Sequence, residues 1–176
     1  MTAKRSVATH AEARAAAAEP VPADGLLHPM ALAGLATLLL NDHVLKVHAP
    51  SPMTGILSGF AGILIFPLVL QAGWEMVAAV SGRWNGPSLS VIVLACVATG
   101  IGYAAVEMYP PAADAYRYGL GALQWPASAV IALLDHQHLP PLVPVLAVAD
   151  PYDLLALPFL AIPLLLGLPR ASPRYR

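Results

Sequence analysis

Imidazole and carboxylate groups recur in three short stretches of the chain: Asn41-Asp42-His43 with Lys46 and His48, the isolated Glu107, and Asp135-His136-Gln137-His138. Such groups bind zinc, copper or iron, and histidine also carries protons near neutral pH. His136 and His138 offer two imidazoles from one extended segment, and His43 can supply a third; these three are the candidate metal ligands. The wider candidate polar site is Asp42, His43, Lys46, Glu107, Asp135, His136 and His138. Asp42 and Lys46 stand at i, i+4 spacing and share one side of a helix as an ion pair. An H-x-H pair is a weak signal by itself, because loops carry polar residues in most proteins.

No motif assigns a catalytic residue. G-x-S-x-G, H-E-x-x-H, a P-loop and C-x-x-C are all missing from the sequence, and Ser58 and Ser128 have no adjacent base. His28 and His43 are spaced to serve two haems on opposite membrane faces, but the other apolar runs hold no histidine for a second axial ligand. No cofactor is therefore expected.

The elements that position these residues are apolar. The chain of 176 residues is 58% hydrophobic and only 11% charged, against about 25% charged in a soluble domain. Its surface must face lipid. Residues 54–80 and 88–108 are long enough to cross about 30 Å of hydrocarbon at about 1.5 Å per residue. Residues 26–45 and 152–168 are shorter runs of the same kind. The expected fold is an all-α polytopic membrane bundle of four transmembrane helices. Residues 118–134, with Gln124, Trp125 and Pro126, read as an interfacial or re-entrant segment or a fifth span.

Residues 1–24 read as a disordered polar tail, residues 25–169 as the bundle, and residues 170–176 as a basic C-terminal tail. No small-residue cleavage site follows Leu40, so the first run is expected to stay as a span. Residues 109–117 read as a loop, and prolines make residues 139–151 too broken for a helix. Pro67 is expected to kink the second span, and Pro158 and Pro163 the last. Cys96 lies alone in an apolar run and can form no internal disulfide. Gly55, Gly59 and Gly62 suggest a face of close helix packing. Glu75 beside Trp74 is expected near the interface, within reach of Arg83.

Basic residues in short loops favour the cytoplasm. With four spans and an inner N-terminus, Lys4, Arg5, Arg14, Arg83, Arg170, Arg174 and Arg176 lie inside, and only Lys46 and Arg117 outside. A fifth span would reverse that balance. Both termini are expected in the cytoplasm, with the polar site on the outer face.

Residues 28–62, HPMALAGLATLLLNDHVLKVHAPSPMTGILSGFAG, carry the one resemblance. They resemble a pattern of bacterial polytopic membrane proteins of unknown function, HP…LLLNDHxLK…P…TGKLSDFAG. Asn41, Asp42, His43, Leu45, Lys46, Thr54, Gly55, Leu57, Ser58, Phe60, Ala61 and Gly62 agree with it. Ile56 stands where the pattern has Lys, and Gly59 where it has Asp. The resemblance implies a multi-pass protein of a bacterial inner membrane and draws attention to the turn between the first two spans.

The expected function is a small transport, channel or accessory subunit, with lipid, copies of itself or other membrane subunits as partners and no nucleic acid. The alternative is a metal-dependent or redox membrane enzyme using the outer His and Asp residues.

Overall fold

A computed structural model gives the structure and describes residues 20–49 and 51–170. Residues 1–19 of the expected tail and residues 171–176 lie outside the described residues. Those described are mostly helical, and no strand occurs among them. Four segments are long and apolar enough to cross a membrane: Pro29–His48, Met53–Val80, Leu89–Met108 and Pro151–Leu168. The chain is thus an all-α, multi-pass membrane protein.

Helix α1, Pro29–Leu40, opens with Pro29 in its first turn and with the His28 ring accepting the Met30 N–H. Proline loses nothing there, since the first helical N–H groups have no partner in the helix. A π-helical turn, Asn41–Leu45, and a last short turn, Lys46–His48, complete the span. Helix α2, Pro52–Val80, begins in a capping box: Thr54 N–H donates to Ser51 Oγ, and Ser51 N–H to Thr54 Oγ1. It runs through Pro67 without ending there. It stops at Gly82, whose φ of 66° lets Arg83 N–H reach the Ala78 carbonyl at 2.8 Å. Helix α3 covers Leu89–Met108.

Helix α4, Pro110–Leu134, begins eight residues before the expected 118–134 segment and includes the stretch read as a loop. Pro110 and Pro111 look like breakers in sequence, but at the first helical positions they start a helix. This helix is not among the segments long and apolar enough to span. Residues 139–150 then run extended, back along α4.

The last span starts as a 3-10 helix, Pro151–Leu160, and continues as α5, Ala161–Arg170. Pro158 has no N–H to donate in either form of helix and lies within the 3-10 stretch. The 3-10 form lengthens the span. Eighteen residues of α-helix would reach only about 27 Å; ten at about 2.0 Å and eight at about 1.5 Å reach about 32 Å. That matches the hydrocarbon thickness.

Helix α2 is central and packs against α1, α3, α5 and two 3-10 segments, the short Asp24–Leu27 before α1 and Pro151–Leu160. The core joins Ala31, Leu64, Ile65, Leu68, Ile92 and Cys96, with Leu160 and Leu164 packed against it. Small residues admit the close approaches: a Cβ on Gly167 would lie 2.9 Å from Ile92, and one on Gly100 3.0 Å from Leu160. The expected Gly55/Gly59/Gly62 face differs. Gly59 alone is crowded, by the Tyr103 hydroxyl, while Gly55 and Gly62 have open space beside them.

Gly167→Ala should therefore lower the melting temperature in detergent, at a cost of about 1–3 kcal/mol, because the fully buried Ile92 cannot yield freely. Gly62→Ala should leave it unchanged. Equal effects from the two substitutions would contradict this packing.

Candidate functional site

The turn between the first two spans is held by a chain of polar bonds. Lys46 N–H bonds to the Asn41 carbonyl, five residues back instead of four. The extra residue turns the following side chains by about 100° around the helix. π-Helical turns of this kind are rare and often mark functional positions. Asn41 is wholly buried, and its Nδ2 donates to the Thr54 carbonyl and to Ser58 Oγ, each at 2.7 Å. Ser58 Oγ donates to Asp42 Oδ1 at 2.6 Å, and Lys46 Nζ pairs with the same oxygen at 2.8 Å. Asn41, Asp42, Lys46, Thr54 and Ser58 thus form one connected cluster across two spans. Asn41 Oδ1, also buried, has no hydrogen-bond partner among the described residues.

A second polar group sits at the same end of the bundle. Glu107 Oε2 accepts the Asp150 N–H at 2.8 Å, joining the end of α3 to the start of the last span. Asp150 Oδ1 accepts the Tyr152 N–H and caps the 3-10 helix. Tyr103 OH donates to the Asp153 carbonyl at 3.3 Å. Arg117 pairs with Asp114 at 3.0 Å and donates from Nε to the Ala147 carbonyl. A cleft of about 390 Å³ opens between Glu107, Tyr109, Ala113, Arg117 and Val148. Tyr116 lies between the two groups. Partial burial, with the negative charges of Asp42 and Glu107, pushes its phenol up from the ordinary tyrosine range.

The remaining candidates do not join the Asp42 cluster. The His43 ring is exposed, with Nδ1 3.1 Å from the Leu39 carbonyl. Asp135, His136 and His138 are exposed at the far end of α4, where His136 takes a φ of 54°. No side-chain hydrogen bond or ion pair links them to Asp42 or Lys46 among the described residues. Nor does any group of three or more His, Cys, Asp or Glu side chains there assemble to hold a metal ion.

Sequence reasoning missed two partners. Ser58 was judged only as a nucleophile without a base, yet it bridges Asn41 and Asp42. Glu75, expected near the interface, is 2% exposed and turned into the protein: Gln71 Nε2 donates to its Oε1 and Ala23 N–H to its Oε2, each at 2.8 Å. Ala23 has a φ of 67°, a left-handed conformation costly for a residue with a Cβ. The carboxylate fixes that strained turn against α2. Arg83, its expected partner, is exposed.

No family model, no curated protein and no solved structure matches the chain.

The cluster ranks its own members. Asn41→Ala leaves the buried Thr54 carbonyl and Ser58 without their donor and should cost about 1–3 kcal/mol. Asp42 and Lys46 have side chains 39% and 40% exposed, so Asp42→Ala should cost about 1 kcal/mol or less. Melting temperatures in detergent give the order. A loss for Asp42→Ala as large as that for Asn41→Ala would make the ion pair, not the amide, the main tie.

Proposed function

We propose that this chain is a non-enzymatic integral membrane protein of a bacterial inner membrane. It works as an accessory, channel or transport subunit against other membrane helices, either copies of itself or partner subunits. The supporting observation is the distribution of polarity. Ile63, Leu64, Ile65 and Leu68 fill the middle of α2. The buried polar side chains Asn41 and Thr54 lie towards one end, and Gln71 and Glu75 towards the other; Thr99, midway along α3, donates its hydroxyl to the Ala95 carbonyl of its own helix at 2.7 Å. A single chain so built offers no continuous polar route through its centre among the described residues. Any conducting path would be formed between chains.

An enzyme using the outer His and Asp residues has less support. Asp42, Lys46 and Glu107 are engaged with the protein itself. The threading keeps both termini in the cytoplasm. Seven basic residues against two favour it, and so does the return of residues 109–151 to the level at which they leave.

Two measurements test this reading. Native mass spectrometry from mild detergent should show an oligomer or a co-purifying membrane subunit. A strictly monomeric protein carrying one tightly held metal would overturn the proposal in favour of the enzyme. A C-terminal alkaline phosphatase fusion should be inactive and a fluorescent-protein fusion bright; the opposite pattern would place the C-terminus outside.

A further inference from the structure

Helix α4 and the extended residues 139–150 form a hairpin that the spans do not cover. Its base is closed where Glu107 accepts the Asp150 N–H. Higher up, Val145 N–H donates to the Arg117 carbonyl, and Trp125 Nε1 to the Pro140 carbonyl at 2.8 Å. A Cβ on Gly121 would collide with the Val143 carbonyl, so the Gly121 and Trp125 side of α4 faces the extended segment. The main helical contact of α4 is with α3, to which it is joined.

The opposite side of α4 is apolar and open. Tyr116, Leu123, Val130, Ile131, Leu133 and Leu134 are between 45% and 76% exposed. At 100° per residue they cover an arc of about 160°. A single partner helix needs only a narrow seam; an arc this broad suits a lipid boundary. Tyr116, at the root of the arc, lies near Asp42 and Glu107, so the arc begins against the membrane-spanning bundle.

Two constraints set its depth. So much exposed apolar surface is unfavourable in water. The extended segment, however, cannot enter hydrocarbon. Within it the backbone bonds described are few, and unpaired peptide groups need water. The level that satisfies both is the boundary between headgroups and acyl chains.

We infer that the α4 hairpin is a membrane-surface anchor: it lies in the interface of the leaflet at which α3 ends, with the apolar face of α4 set among the acyl chains. Its partner is the hydrocarbon boundary of the lipid, not an anionic headgroup. Arg117 is already paired with Asp114, and the hairpin offers no other Lys or Arg. Binding is therefore the same in zwitterionic lipid. The inference rests on the reading that the four long helices cross a bilayer.

The experiment uses the full chain with Cys96→Ala, reconstituted in phosphatidylcholine nanodiscs. A single cysteine replaces Leu123 and carries an environment-sensitive fluorophore. A second protein carries it at Val97, half-exposed near the middle of α3, as a control for membrane insertion. Nitroxide lipids with the quencher near the headgroup or near the chain end report depth.

The Leu123 label should emit at blue-shifted wavelength and be quenched more by the shallow nitroxide; the Val97 label should show the reverse. Adding Val130→Asp and Leu134→Asp should abolish quenching at Leu123 and leave Val97 unchanged. Water-like emission at Leu123 overturns the anchor. Stronger quenching by the deep nitroxide overturns it in favour of a crossing element. Shielding from water without quenching by either lipid overturns it in favour of a second protein surface. If the Val97 label is not quenched, the membrane reading itself has failed, and that outcome is distinct from the others.

Discussion

A peptide group in hydrocarbon has no water to bond, and leaving one bare costs several kcal/mol. Much of this structure follows from that constraint. The apolar runs become helices because a helix pairs its own backbone. Prolines gather where a missing N–H does no harm: Pro29, Pro52 and Pro110 in first turns, and Pro140, Pro141 and Pro144 in the extended return segment. Pro158 is carried in a 3-10 stretch. The same constraint keeps residues 139–150, with their few backbone partners, away from the acyl chains.

Satisfying the backbone does not hold helices together. Lipid tails are as apolar as leucine, so the hydrophobic effect gives little attraction between spans, and close packing and hydrogen bonds must supply it. The bundle uses both in separate places. Small residues let helices meet, Gly100 midway along α3 and Gly167 near the end of the last span. Polar bonds tie the two ends. Asn41 fastens α1 to α2 on one side, and Glu75 fastens the Ala23 turn to α2 on the other. Both ties converge on α2, which is why that helix is the centre of the fold.

The sequence made the spans legible because run length and polarity suffice for them. It did not make side-chain direction legible. Trp74 marks the level of Glu75 along α2 but not its direction, because neighbours on a helix point about 100° apart. Trp74 is accordingly 60% exposed and Glu75 buried. The start of α4 was hidden because proline reads as a breaker unless its place in a helix is known. In the candidate site the Asp42–Lys46 pair followed from spacing. The Asn41–Ser58 bond did not, because it depends on how two helices meet. Gly55, Gly59 and Gly62 misled for the same reason: a small residue permits contact without requiring it, and of the three Gly59 alone faces a neighbour closely.

The last span matches the membrane only because half of it is stretched. Recoiling Pro151–Leu160 into α-helix would shorten it by about 5 Å. Of the other spans, Pro29–His48 and Leu89–Met108, with 20 residues each, reach about 30 Å as α-helix, and only Met53–Val80, with 28 residues, has length to spare and can tilt. Three spans are thus matched to hydrocarbon of ordinary thickness, and a thicker bilayer would strain them together. A thinner one would separate them: the 3-10 half of the last span could relax towards ordinary helix and shorten, an adjustment that the α-helical spans lack.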